Sequence, residues 1–173
     1  MKKPAALDWR AKLRSLAPCV YACIGTDRST GDSLGPLVGT LLMDAGIPNV
    51  YGHLGSLLHA GEIEGMAPRI KAAAKTAGLP LLAIDAALGG YDSVGKVRLC
   101  DGPVRPGAGV RKDLPPIGDY HLVGTVNVGG FMEYVVLQNT PLGRVYGMAQ
   151  EIVQEIVAVH AMSEVAAGKG AAR

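Results

Sequence analysis

Two short apolar runs constrain the fold more than any other feature of this chain. Residues 19–24 read Cys-Val-Tyr-Ala-Cys-Ile between Pro18 and Gly25, and residues 79–83 read Leu-Pro-Leu-Leu-Ala before Ile84-Asp85-Ala86-Ala87. Neither run alternates polar with apolar residues, so each predicts a strand covered on both faces, as in a parallel sheet. Between and after them lie stripes at helical spacing. Leu34, Val38, Leu41, Leu42 and Ala45 share one face and stop at Gly46 and Pro48, while Ile63, Met66, Ala67, Ile70 and Ala74 share another and stop at Gly78. Further strands are expected over 49–54, 95–100 and 121–128, and a short helix over 131–138. A last helix carries Val145, Met148, Ala149, Ile152, Val153, Ile156 and Val157. Strands alternating with helices predict an α/β three-layer sandwich, a mostly parallel sheet with helices on both faces and right-handed crossovers.

A chain of 173 residues suits one domain. Trp9, Leu13 and Leu16 predict a short amphipathic helix, so residues 1–17 are expected to form a helical arm, 18–165 a single domain and 166–173 a mobile tail. With one Trp, one Phe and 24 Gly, the core must be built from Val, Leu, Ile and Ala, and loops must be tight. A net charge of +2 without a basic stripe argues against nucleic acid as a partner. No run approaches the roughly 20 apolar residues that a membrane-crossing helix needs, and the Lys-rich start lacks the apolar centre of a signal peptide. Cys19, Cys23 and Cys100 cannot all pair and lack Cys-x-x-Cys spacing, so they read as free thiols in a reducing, cytoplasmic setting.

Ligands of open α/β sheets bind beyond the carboxyl ends of the strands. The loop 25–31, Asp85 and Gly129-Gly130 each follow a predicted strand, so the topology brings them to one edge. Asp32, at the start of the first crossover helix, and Asp85, at the end of an apolar strand, are the candidate catalytic pair. Two carboxylates sharing a small site repel, so one stays protonated as an acid while the other activates water. Asp32 also fits the simpler role of a helix cap. An ionisable group on a buried strand has no such simple role, because its burial is costly unless it is bonded or functional. Gly25, Thr26, Asp27, Arg28, Ser29 and Thr30 form the loop whose backbone N–H groups can hold an oxyanion or carboxylate. The loop lacks both the P-loop signature and the dinucleotide glycine spacing, and no serine sits in a nucleophile elbow. His53, His59, His121 and His160 show no metal-ligand spacing; His160 continues the stripe of the last helix, and His59 lies in the loop 55–61.

The segments Cys23-Ile-Gly-Thr-Asp-Arg-Ser-Thr-Gly-Asp-Ser-Leu-Gly-Pro36, Ala83-Ile-Asp-Ala-Ala-Leu88, Arg105-Pro-Gly-Ala-Gly-Val110, Leu114-Pro-Pro-Ile-Gly118 and Asn127-Val-Gly-Gly-Phe-Met-Glu133 resemble the YyaC family of sporulation proteins over nearly the whole chain. Through Asp-Ser-Leu-Gly-Pro and Ile-Asp-Ala the chain is also similar to the spore germination protease and, more distantly, to hydrogenase maturation endopeptidases. The resemblance implies their phosphorylase/hydrolase-like sandwich and carries a catalytic aspartate pair over to Asp32 and Asp85. It implies a sporulation-associated, aspartate-dependent peptidase in the cytoplasm of the forespore or mother cell, acting on a protein or peptide and needing no cofactor. Thr26 to Thr30 and Asn127 would stabilise the oxyanion or orient the carboxylates. Where the maturation enzymes use a histidine to recognise nickel this chain has Asn127, which removes the softest ligand. Two alternatives stay open: a non-catalytic peptide-binding module, and a metal-binding maturation factor using Asp32, Asp85 and His53 or His59. Self-association into a homo-oligomer is a further expectation, from the scarcity of aromatic residues.

Overall fold

The computed structural model describes residues 8–106 and 114–170. In chain order the elements are α1 (Trp9–Leu16), β1 (Val20–Cys23), α2 (Leu34–Asp44), β2 (Val50–Tyr51), α3 (Ala60–Ala77), β3 (Leu81–Gly89), β4 (Val97–Asp101), β5 (Tyr120–Val128), α4 (Glu133–Gln138) and α5 (Leu142–Gly170). The five strands order as β2-β1-β3-β5-β4, all parallel except β4, which runs antiparallel to β5. This is the expected mostly parallel sheet. The antiparallel strand arises because β4 and β5 join on one side of the sheet without a crossover helix.

Successive strand residues face opposite sides, and the sheet divides the core accordingly. Cys19, Tyr21 and Cys23 of the first strand region, with Leu82 and Ile84 of β3, pack with Trp9 and Leu13 of α1, Leu34, Val38 and Leu42 of α2, and Val145, Ile152 and Ile156 of α5. Val20, Ala22, Leu81 and Ala83 face the other way onto Ile63, Ala67, Ile70 and Ala74 of α3. Three layers result, with helices on both faces. The apolar runs lack alternation because both sides of each strand are covered.

The N-terminal helix is integral to this core: Trp9 and Leu13 are buried, Arg10 pairs with Glu151 and Glu155 of α5, and Lys12 bonds Asp101 at the end of β4 (2.8 Å). The last helix outruns its apolar stripe, continuing to Gly170 past the boundary expected at 165. β2 is only two residues long, against the expected 49–54, because Gly52 turns to φ +87°. The Gly/Pro-rich excursion after β4 is pinned by a Val104–Ile117 bridge; its residues 107–113 lie outside the described residues, as do 171–173 of the expected tail. All three cysteines are free thiols, and burial pushes the Cys19 and Cys23 thiols well up, so neither is a nucleophile near neutral pH. His160 is structural, as its place in the stripe predicted: its Nε2 shares a 2.8 Å hydrogen bond with the Tyr21 hydroxyl.

Candidate functional site

The site begins where β1 stops. Gly25 takes φ +146°, a backbone state that L side chains avoid, and donates its N–H to the Leu58 carbonyl at 3.1 Å, so the chain leaves the line of β1. The loop then closes on itself. Thr26 N–H donates to the Asp32 carbonyl (3.1 Å), Asp32 N–H to the Ser29 carbonyl (3.0 Å), and the Ser33 hydroxyl to the Thr30 carbonyl (2.7 Å). These bonds set Asp32 in a single 3₁₀ turn, Gly31–Ser33, directly ahead of α2. The helix-cap role does not hold for Asp32: the N-cap of α2 is Ser33, and no side chain makes a capping bond there. Asp27 and Arg28 lie exposed at the loop tip, while Thr26 and Thr30 are half-buried.

A stripe of glycines brings this turn down onto the sheet. A Cβ on Gly25 would stand 2.0 Å from the Asp32 carbonyl oxygen, one on Gly35 2.0 Å from that of Ile24, and one on Gly39 1.8 Å from that of Gly52. Gly31, Gly35 and Gly39 recur every four residues, on one helical face. That spacing was visible in the sequence, and it is the signal that sequence reasoning passed over for Gly35 and Gly39.

Asp85 is placed differently from its expected position at a strand end. It is the fifth of nine residues of β3, and the strand continues past it because β5 pairs with β3 as far as Gly89↔Val128. What ends beside Asp85 is the neighbour, β1, whose last paired residue is Cys23 opposite Ile84. The carboxylate therefore stands where one strand of the sheet drops out. Its Oδ1 accepts the Ala86 N–H at 2.8 Å. Burial pushes its pKa up to about 7, the Ala86 bond opposes the rise, and the nearby Asp32 charge adds to it. The Asp32 carboxyl is raised too, chiefly by burial. Ser29 stands near enough to temper the Asp32 shift, yet its buried Oγ lies outside hydrogen-bonding geometry and is the one buried side-chain polar atom without a partner among the described residues. The structure thus brings Asp32 beside both Asp85 and Ser29, with Gly25 against the Asp32 main-chain carbonyl.

Asn127 is not part of that cluster. It pairs with Leu88, three residues beyond Asp85 along the sheet, a displacement of about 10 Å at the rise of a strand. Its amide nitrogen donates to Thr140 Oγ1 (3.2 Å) and its Oδ1 accepts the Val128 N–H (2.9 Å). It tethers β5 to the start of α5 and borders an open groove of about 590 Å³ lined by Val128, Phe131, Met132 and Val135. His53 and His59 lie on the opposite flank, lining a separate cavity of about 470 Å³ with Ser56 and Glu62. Each turns Nδ1 to the N–H two residues on, Gly55 and Gly61, and His59 thereby caps α3. A nickel site does not fit this donor set: no three His, Cys, Asp or Glu side chains converge among the described residues. Nor is any helix among them long and apolar enough to cross a membrane.

A family model described as a protein of unknown function (DUF1256) matches residues 9–155. YyaC of Bacillus subtilis (strain 168) is 51% identical over 140 residues, covering 79% of this chain and 67% of that protein. Among solved structures, the NiFe hydrogenase maturation protease HycI from Thermococcus kodakarensis KOD1 aligns with a TM-score of 0.52 over 86% of this chain and 97% of that one, at 15% identity. At that identity the likeness is one of fold: the sandwich expected from the sequence is the fold of a known protease.

Proposed function

The chain belongs to the DUF1256 family, and we propose that it is a peptidase in which Asp32 and Asp85 share a proton and a water. The observation that carries this reading is the pair itself: two carboxyls, both raised by burial, with the charge of Asp32 raising Asp85 further, where β1 ends beside the middle of β3. Asp85, pushed up to about 7, remains largely protonated just below neutrality and is the acid. Asp32 is the base. Ionised Asp32 takes a proton from water as the water oxygen bonds to the scissile carbonyl carbon. Asp85 gives its proton to the amide nitrogen as the C–N bond breaks, releasing a free amine and a new carboxyl group. Proton exchange with solvent then returns Asp32 to the carboxylate and Asp85 to the acid.

The buried Ser29 hydroxyl, close enough to Asp32 to oppose its shift, stands where it can also bond a substrate carbonyl or the attacking water. The resemblance of the motifs to sporulation proteins directs the choice of substrate to proteins of a spore-forming cell. Hydrolysis by activated water makes a specific demand. Cleavage in H₂¹⁸O should place one solvent oxygen in each new C-terminal carboxyl, and Asp32→Asn and Asp85→Asn should each slow the reaction by about a hundred- to ten-thousandfold. Cleavage that persists in both variants would remove the pair from the chemistry.

A further inference from the structure

β3 outruns β1: past Ile84 no strand pairs with β3 on the side where β1 lay, among the described residues. The Ile24 N–H donates to the Ile84 carbonyl at 2.8 Å, after which Gly25 turns off toward Leu58. Strand residues present N–H and C=O to alternate sides. The Pro80 and Ile84 carbonyls accept from the β1 side, and the Gly89 carbonyl accepts from Gly129 on the β5 side. Ala86 and Leu88 therefore face the vacated lane. The Ala86 N–H is taken by Asp85 Oδ1, while the Ala86 carbonyl and both main-chain groups of Leu88 meet no hydrogen-bond partner across that lane among the described residues. Ala86 and Leu88 turn their side chains into the core shared with α2 and α5, so this stretch of edge is anchored.

We propose that this free edge binds the main chain of an extended peptide, which takes the place β1 leaves and passes the two carboxylates. The choice of a peptide as occupant rests on the peptidase reading; the vacancy itself does not. Continuing the parallel direction of β1, one peptide residue opposite Ala87 would accept from the Leu88 N–H and donate to the Ala86 carbonyl, the pattern of strand addition to a sheet edge. That residue sits about 7 Å along the strand from Asp85, so the bond presented to the carboxyls lies one or two residues away along the peptide. Recognition of main chain alone makes binding tolerant of sequence. With so few rungs it is also weak, because each contributes only about 0.5–1.5 kcal/mol net, which suits release of products. The shortness of the edge and the carboxylates beside it discourage pairing with the edge of another folded sheet.

The test is amide hydrogen exchange at Leu88, followed by NMR in the full-length Asp32→Asn/Asp85→Asn protein, which retains the edge and cannot turn over. The probe is a pool of random-sequence octapeptides, compared with the same pool N-methylated at every peptide nitrogen. The ordinary pool should slow exchange at Leu88 by about tenfold when present at ten times its dissociation constant, with Ala86 unchanged, and the methylated pool should not. Equal protection by both pools, or by neither, overturns the proposal. Protection that grows with protein concentration in the absence of peptide would assign the edge to a second copy and overturn it equally. The two readings fail separately: wild-type cleavage with an unmoved Leu88 ends the edge proposal alone, and Leu88 protection with an inert wild type ends the peptidase alone.

Discussion

Asp85→Asn should stabilise the protein at pH 8, leave its stability nearly unchanged at pH 4, and abolish its proposed hydrolysis. An aspartate titrates near 3.9 in the unfolded chain, and in the fold Asp85 is pushed up to about 7. Between those values the unfolded state has lost its proton while the folded state keeps it, so stability falls as pH rises from about 4 to about 7 and is level above that. Asparagine carries no charge at any of these pH values and escapes the loss. The whole shift corresponds to about 4 kcal/mol. Because Asp85 as a residue keeps some exposure, solvent screening lowers the expected gain to about 2–3 kcal/mol, or roughly 5–10 °C in melting temperature for a domain of this size. Melts of wild type and variant across pH check it. An equal gain at pH 4 and pH 8 would trace the effect to packing; a loss at pH 8 would mean that the ionised carboxylate is held by bonds stronger than its burial is costly.

Gly39→Ala should destabilise the protein by about 3 kcal/mol, although helix propensity favours alanine by about 1 kcal/mol. The added Cβ would lie 1.8 Å from the Gly52 carbonyl oxygen and 3.2 Å from Cys23 Cβ. Gly52 cannot retreat, because it is itself wedged on β1, with a notional Cβ 2.0 Å from the Cys23 carbonyl oxygen. Helix α2 must lift instead, and Asp32 at its start moves away from Asp85, so activity falls along with stability. Gly65 on α3 is the internal control. It is exposed and meets nothing within 4 Å, so Gly65→Ala should gain about 0.5–1 kcal/mol. Urea denaturation of the two variants reads both signs. A Gly39→Ala protein as stable as wild type would mean that α2 does not sit on the backbone of β1.

What the sequence made legible follows from how local the cause is. Burial on both faces erases alternation, so the apolar runs announced β1 and the start of β3, and the helical stripes announced α2, α3 and α5. Asp85 stood out because a carboxyl in such a strand has no packing reason to be there. The extension of β3 to Gly89 was hidden, because Ala86 and Ala87 carry little strand preference and are held by a partner, β5, some forty residues on. Likewise, the turning-off of β1 at Gly25 depends on Leu58, and the position of Asn127 depends on a register shift between Ala87 and Leu88. Such displacements of several ångströms decide which polar residues meet. They separate Asn127 from the aspartates and bring Ser29 to them.

The most direct test of the central claim is incubation of purified protein with small acid-soluble spore proteins across pH, read by mass spectrometry, beside the Asp32→Asn/Asp85→Asn variant. The account predicts discrete cleavage by the wild type, with a pH dependence that bends near 7, and intact substrate with the variant. Intact substrate in both would contradict it and leave a peptide-binding module on a protease fold.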